Sequence, residues 1–326
     1  MADNSGGQPR VTEIIVVFNG ERYLREAVDS IVGQSFVDWE LLVVDDGSTD
    51  QSSAIIRGYE QPLPGKVRLL AHHDNRNHGI SASRNRGLAE ARGAYVAFLD
   101  ADVRRPAGSE RGAAAARNAG IEAGSGDFLA FLDADDLYEP HMLETVLAAA
   151  DANPEAAMIF GPTRWWYPDG ESPDWIEPMD GLAGRLHQPP WLLSRLLLMQ
   201  DGHVPCTCSV LVRRNAIELV AGFEERFRLY EDQALWVKLF LRYPAYVTPI
   251  CLSRYRQHSG SVSADAAKRG LYDRTGLHPA RAPFLDWLTE YVVKSGIDRE
   301  RQNVSAAAIL TLSWLTLHDS LKTDAW

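Results

Sequence analysis

"VTEIIVVFNGERYLREAVDSIVGQSFVDWELLVVDDGSTD", residues 11–50, decides the architecture. "VTEIIVVF" is an almost unbroken β-branched run. Such a run suits a pleated strand covered on both faces. "GERYLREAVDSIVGQ" follows, with Tyr23, Leu24, Ala27, Val28 and Ile31 at helical spacing. "ELLVVDD" is a second buried strand, and it ends in two carboxylates. Beyond this stretch, "STDQSSAIIRGYE" opens on a Ser/Thr/Asp cluster able to cap a helix, and "KVRLLAHH" reads as a third strand. Strand, helix, strand, helix, strand predicts an α/β fold with a mostly parallel sheet flanked by helices. Ligands of such sheets lie at the carboxyl ends of the strands, where Asn19, Asp45 and Asp46 fall.

The next segment is written twice. "GISASRNRGLAEARGAYVAFLDADV" (79–103) is followed by "GAAAARNAGIEAGSGDFLAFLDADD" (112–136), and each residue lies 33 positions from its counterpart. Gly79 matches Gly112, Arg84 matches Arg117, Asn85 matches Asn118, Asp100 matches Asp133 and Asp102 matches Asp135. Each copy reads as a helix of small residues and then a buried strand ending in Asp-Ala-Asp. Two copies are too few for a stacked array, so this is a tandem duplication of one αβ unit inside the domain. Its place at a sheet edge or as a bulging insertion is left open.

Composition narrows the function. The 326-residue chain is 45% apolar and 24% charged, ordinary for a globular protein. A net charge of −11 argues against a nucleic-acid partner, which requires a basic face. Cys206, Cys208 and Cys251 make no disulfide framework, and no second Cys/His pair stands near Cys206 and Cys208 at zinc spacing. The N-terminus "MADNSGGQPR" lacks the apolar core of a secretory signal, and no apolar run approaches the ~20 residues of a membrane span. A cytoplasmic location is expected, with peripheral association at the inner face of a membrane open.

Asp-x-Asp at the end of a buried strand sets carboxylates at the sheet's mouth, where they suit a hard divalent cation, Mn²⁺ or Mg²⁺. Such an ion bridges nucleotide phosphates. The order of motifs along the chain sharpens this. "VVFNGERYLREAVDSIVGQSF", "ELLVVDDGSTDQS", "NHGISASRNRGL", "FLDADDLYEPHML", "GFEERFRLYEDQALWVKL" and "YRQHSGSVS" occur in that sequence. Over residues 11–262 the chain resembles glycosyltransferase family 2, the inverting sugar transferases with the GT-A fold. It departs from the pattern in the duplication, and in having Val16 and Val17, not the usual proline, before Phe18 and Asn19.

The resemblance implies a metal-dependent transferase that moves a sugar from a nucleotide-diphosphate sugar, a uridine diphosphate sugar by preference, to a hydroxyl of a glycan or lipid-linked acceptor. Phe18, Asn19, Glu21, Asp45 and Asp46 would hold base and ribose, Arg84 or its counterpart Arg117 the diphosphate, and Asp133 the ribose or sugar. Asp133, Asp135 and His258 would be the metal ligands, with Arg254 and Arg256 in reach of the diphosphate. Asp232, paired with Glu231 at the start of a helix, would be the catalytic base. The second copy is favoured as the working one. It continues into Asp136 and Pro140 as the family pattern does, whereas the first has Val103, Arg104 and Arg105 there.

Residues 1–10 read as a flexible lead, 11–262 as the transferase domain, and 263–326 as a helical extension able to cover the acceptor side or pair two chains. "WLLSRLLLMQ" (191–200) reads as a buried or partner-facing helix. Trp165, Trp166, Tyr167 and Trp175 either pack on the sheet or leave an indole free for a sugar ring. Two other function classes compete: a nucleotidyltransferase, disfavoured because no Gly- and basic-rich loop follows the first strand, and a binding relative impaired by the duplication.

Overall fold

The computed structural model describes residues 8–101, 113–123, 126–133, 135–198, 203–273 and 279–295. Asp102, Val103 to Arg105 and the helical pattern "NVSAAAILTLSWLTLHDSLK" lie outside them.

The first half alternates as expected: β1 (Val11–Val17), α1 (Glu21–Val32), β2 (Trp39–Asp45), α2 (Ser52–Glu60) and β3 (Val67–Ala71). The repeat supplies α3 (Ile80–Leu88) with β4 (Tyr95–Ala101), then α4 (Ala113–Ala123) with β5 (Phe128–Leu132). After it come β6 (Leu137–Tyr138), α5 (Met142–Ala152), β7 (Met158–Phe160), β8 (Thr163–Trp166), β9 (Trp175–Ile176), β10 (Arg185–His187) and β11 (Val210–Arg213). The chain continues with α6 (Arg214–Leu219), α7 (Glu231–Arg242), β12 (Ala245–Val247), β13 (Ser253–Arg256), α8 (Val262–Lys268) and α9 (Arg281–Lys294). The apolar Trp191–Gln200 stretch is π-helical over Leu193–Leu198, with Leu193, Leu196 and Leu197 buried.

The main sheet has nine strands in the order β10-β12-β7-β11-β5-β4-β1-β2-β3. Strands β3, β2, β1, β4 and β5 run parallel, and β11 turns antiparallel against β5. This is the expected α/β architecture. The duplicated strand is neither at an edge nor bulged out: β5 lies inside the sheet, between β4 and β11. All five of its residues are buried. A strand with no polar face needs neighbours on both edges and cover on both sides. Tyr95 stands opposite Phe128 and Leu99 opposite Leu132, so partners in the sheet are also counterparts in the repeat.

Two apolar layers cover the sheet. One contains Tyr23-side α1, with Leu24, Val28 and Ile31, and α5, with Leu143 and Val146. The other contains Ile121 of α4, Leu235 and Trp236 of α7, and Leu285 and Leu288 of α9. Glu13 intrudes on the first layer. It is fully buried in β1, neither carboxyl oxygen has a hydrogen-bond partner, and burial pushes its pKa up to about 8.

A second sheet, β6-β13-β8-β9, was not foreseen from sequence. Its strands are two to four residues long, too short to show alternation. It matters for position. β6 directly follows the second Asp-Ala-Asp, and β13 directly precedes His258. Their antiparallel pairing, Ser253 with Tyr138 and Arg254 with Leu137, carries those two ends together.

Candidate functional site

The residues expected to hold base and ribose gather at the mouth of β1 and β2. Asn19 adopts a left-handed backbone (φ 52°), and its side-chain oxygen accepts from the Thr49 amide at 2.8 Å. The Asn19 amide donates to Ser48 Oγ at 2.9 Å, and the Gln51 amide donates to Glu21 Oε2 at 2.9 Å. Asn19 and Glu21 thereby zip the β1–α1 loop to the β2–α2 loop, while Phe18 is half-buried beside them. Asp45 accepts from the Ser48 amide at 2.8 Å and from the Ser53 hydroxyl. Asp46 is 2% exposed and accepts from the His78 and Gly79 amides at 2.7 and 2.9 Å, which ties the start of α3 to the end of β2. The same loops meet at Gly47 (φ 83°), where a Cβ would lie 2.7 Å from the Arg76 carbonyl carbon. These contacts organise the mouth, and each carboxylate oxygen keeps a second lone pair for another donor.

A second group gathers where β5 ends. Arg117 of α4 is 6% exposed and forks between two carboxylates: NH2 lies 2.8 Å from Asp133 Oδ1 and NH1 3.3 Å from Glu231 Oε1. Glu231 and Asp232 open α7, after Tyr230 in a left-handed conformation (φ 73°). The positive end of the helix dipole favours carboxylates there. Burial nonetheless pushes Glu231 up to about 7, with the Asp232 charge adding to the rise and Arg117 opposing it. Burial also raises Asp232, whose Oδ1 accepts from the Gln233 amide at 2.7 Å. Arg84, the first copy's counterpart of Arg117, is buried within the layer at 2% exposure.

The pairing of β6 with β13 builds a third group. His258 Nε2 lies 2.6 Å from Asp135 Oδ2. Asp136 beside it is fully buried, raised well above the usual carboxylate range by burial, and accepts from the Arg256 amide at 2.9 Å. Arg256, expected within reach of the diphosphate, is engaged by protein groups. Its Nε donates to the Asp135 carbonyl at 2.7 Å, its NH2 pairs with Glu26, and its guanidinium stacks on Tyr23 and Trp166. Arg254 is likewise engaged by Glu139 at 3.0 Å. Among the described residues, no three His, Cys, Asp or Glu side chains converge on one point as a formed metal centre. Asp133, 46% exposed, and the Asp135–His258 pair stand separately.

Trp165, Trp175 and Trp191 each stack on another ring of the protein. Trp165 stacks on Trp175 (5.2 Å, 7°) and donates to Glu177, while Trp191 stacks on His187 (4.5 Å, 8°). Sequence reasoning missed Asn118 and Lys238, which fix the loop ahead of Glu231, and the Arg256–Glu26 pair. For Asn118 the signal existed, since it repeats Asn85. Among the described residues no helix is long and apolar enough to cross a membrane.

Known proteins share this chain's features. The family model described as Glycosyl transferase family 2 matches residues 12–107 and again 103–220, so the two matches overlap where the first copy of the repeat ends. Glycosyltransferase GlyA of Streptococcus pneumoniae is 39% identical over 93 residues, 28% of this chain and 13% of that protein. The minor teichoic acid biosynthesis protein GgaB of Bacillus subtilis is 38% identical over 91 residues, 27% of this chain and 10% of that protein. The alignments thus span only a small part of these relatives. Among solved structures, S. aureus TarS 1–349 in complex with UDP-GlcNAc superposes with a TM-score of 0.55 at 16% identity, over 92% of this chain and 71% of that one.

Proposed function

This chain belongs to glycosyl transferase family 2, and from that premise we propose that it is an inverting glycosyltransferase. It would move a sugar from a nucleotide-diphosphate sugar to a hydroxyl of a glycan or lipid-linked acceptor, in polysaccharide assembly. The observation that carries this reading is the Arg117 fork, which holds a strand-end carboxylate, Asp133, beside the acidic pair that opens α7.

The chemistry follows from the groups present. A sugar hydroxyl is a weak nucleophile. Asp232 accepts its proton as the oxygen bonds to the anomeric carbon, and the bond from that carbon to the diphosphate oxygen breaks on the opposite face. One displacement inverts the centre. Burial raises the pKa of Asp232, and a stronger base takes up a proton more readily. Arg117, held between Asp133 and Glu231, is a preorganised positive charge near the departing diphosphate, the kind of group that supplies a large electrostatic share of catalysis. Asp46 and the clamped Asn19–Glu21 loop would form the base and ribose side.

Two carboxylates and an imidazole are a donor set suited to Mn²⁺ or Mg²⁺. Asp133, Asp135 and His258 would hold such an ion, which when bound neutralises diphosphate charge. A uridine diphosphate sugar is the donor we favour, supported by the UDP-GlcNAc complex of the TarS neighbour. We place the protein in the cytoplasm, with peripheral membrane association and pairing through the C-terminal helices as further readings.

A panel of nucleotide sugars, offered with candidate acceptors with and without Mn²⁺, tests the proposal. Release of uridine diphosphate with a new glycoside is expected, together with loss of nucleotide binding in chelator. Release of inorganic diphosphate from a nucleoside triphosphate would identify a nucleotidyltransferase, and binding without turnover an impaired relative.

A further inference from the structure

We infer that Asn118, in the second copy of the repeat, is a positioning residue for the Glu231–Asp232 pair, and that Asn85, its counterpart in the first copy, has no such part. The inference rests on Asp232 as the base and deepens that reading.

Asn118 holds the chain at two points. Its Oδ1 accepts from the Phe223 amide at 2.7 Å, and its Nδ2 donates to the Phe223 carbonyl at 2.9 Å. Nδ2 also lies 3.1 Å from Glu225 Oε1. A primary amide that satisfies both the N–H and the C=O of one residue mimics a strand neighbour, and it fixes that residue in position and orientation. The fit is close. Gly222 has φ 61°, and a Cβ on it would lie 2.4 Å from Asn118 Oδ1.

From Phe223 the restraint runs forward to the acidic pair. Lys238 of α7, 2% exposed, donates to the Gly222 carbonyl at 2.9 Å and pairs with Glu224 at 2.7 Å. The Phe223 ring meets Phe131 of β5 edge-on at 5.4 Å. Farther along, Phe227 and Tyr230 pack on Phe284 of α9, at 6.0 and 4.8 Å. The segment between Phe223 and Tyr230 is therefore held at both ends. Tyr230, already left-handed, leads directly into Glu231. Arg117, the residue before Asn118, reaches Glu231 from the same helix, so one turn of α4 sets both the loop and the carboxylate. Asn85 is exposed, and its side chain makes no hydrogen bond among the described residues.

The test compares Asn118→Ala, Asn118→Asp and Asn85→Ala in steady-state transfer, with the donor found by the nucleotide-sugar panel, and measures uridine diphosphate binding by calorimetry. Misplacement of a catalytic group by about 1 Å can cost on the order of 10²-fold, so Asn118→Ala should lose roughly 10- to 100-fold in kcat. Donor KM and uridine diphosphate affinity should stay within about two-fold, the pattern of a lost transition-state interaction. Asn118→Asp keeps the acceptor and loses the donor. It should fall between, and because it is isosteric it carries the comparison if Asn118→Ala fails to fold. Asn85→Ala should match wild type. The inference is overturned by a wild-type kcat in Asn118→Ala and Asn118→Asp, by an equal loss in Asn85→Ala, or by a loss of uridine diphosphate affinity as large as the loss in kcat.

Asp232→Asn, assayed alongside, separates two failures. Full activity there with a fallen kcat in Asn118→Ala removes Asp232 as base and leaves Asn118 positioning Glu231. A fallen kcat in Asp232→Asn with wild-type Asn118 variants overturns this inference and leaves the base reading standing.

Discussion

The first copy of the repeat, α3 and β4, packs against β1 and β2, with Gly87 of α3 pressed on Ile14 and Val44. The second copy, α4 and β5, packs between β4 and antiparallel β11 and faces the loop that leads into α7. Their sequences share the Arg-Asn pair, the glycines and the Asp-Ala-Asp ending, but their neighbours differ. The turn into α3 gives the His78 and Gly79 amides to Asp46, at the end of β2. The middle of α4 gives Arg117 to Glu231 and Asn118 to Phe223, in the loop that leads into the acidic pair. A motif therefore specifies a local shape, and the strand beside it specifies the use of that shape.

The hardest blow to this division is Asp232→Asn, which should cut transfer about 10²- to 10⁴-fold, the range for a general base, and spare donor binding. Transfer rates beside calorimetric donor titrations check it. Full activity would take the base role away from Asp232.

A smaller effect sharpens the contrast between the copies. Asp135→Ala should weaken Mn²⁺-dependent uridine diphosphate binding at least ~10-fold, because even partners of metal ligands matter by that much. Asp102→Ala should change it little. Titration with and without chelator ranks the two, and the reverse order would hand the working role to the first copy.

The third effect concerns stability. Beside β4, Glu13 stands opposite Ala97 with no partner for its carboxyl, whereas β5 is bordered on its far side by Leu211 and Val212 of β11. The folded pKa of about 8 lies above the ordinary glutamate value of 4.5. The folded state then keeps a proton that the unfolded chain releases, so stability is full below the unfolded pKa and falls as pH rises toward the folded one. Glu13→Leu should stabilise by about 1–3 kcal/mol at neutral pH by removing an unsatisfied buried group. It should also flatten the decline between pH 5 and pH 8, roughly the window of these two values. Urea midpoints at both pH values decide this, and an unchanged slope would mean the carboxyl finds a partner.

The parallel half of the sheet was legible because its strands are long, β-branched and apolar on both faces, as in "VTEIIVVF" and "ELLVVDD". The second sheet was not, because β6 and β9 have two residues each and no pattern can be read in two. In the site, Glu231, Asp232, Asp133, Asp135 and His258 were singled out by the order of motifs that resembles the family, not by residue type alone. The contacts that organise them were hidden by distance along the chain. Asn118 meets Phe223 across 105 positions and Arg256 meets Glu26 across 230. No local periodicity reports such pairs. The carboxylate partners of Arg254 and Arg256, Glu139 and Glu26, were hidden for the same reason, since they lie far away in sequence.

A parallel sheet can be widened only in whole strands, each about 4.8 Å across. With β4 and β5 paired at their own repeat distance, the sheet is a ruler graduated in strands. The Asp46 loop and the acidic pair of α7 stand on opposite sides of the doubled mark. Excision of one 33-residue copy would bring them one graduation closer, and β1 and β11 would each still border a strand of the same design.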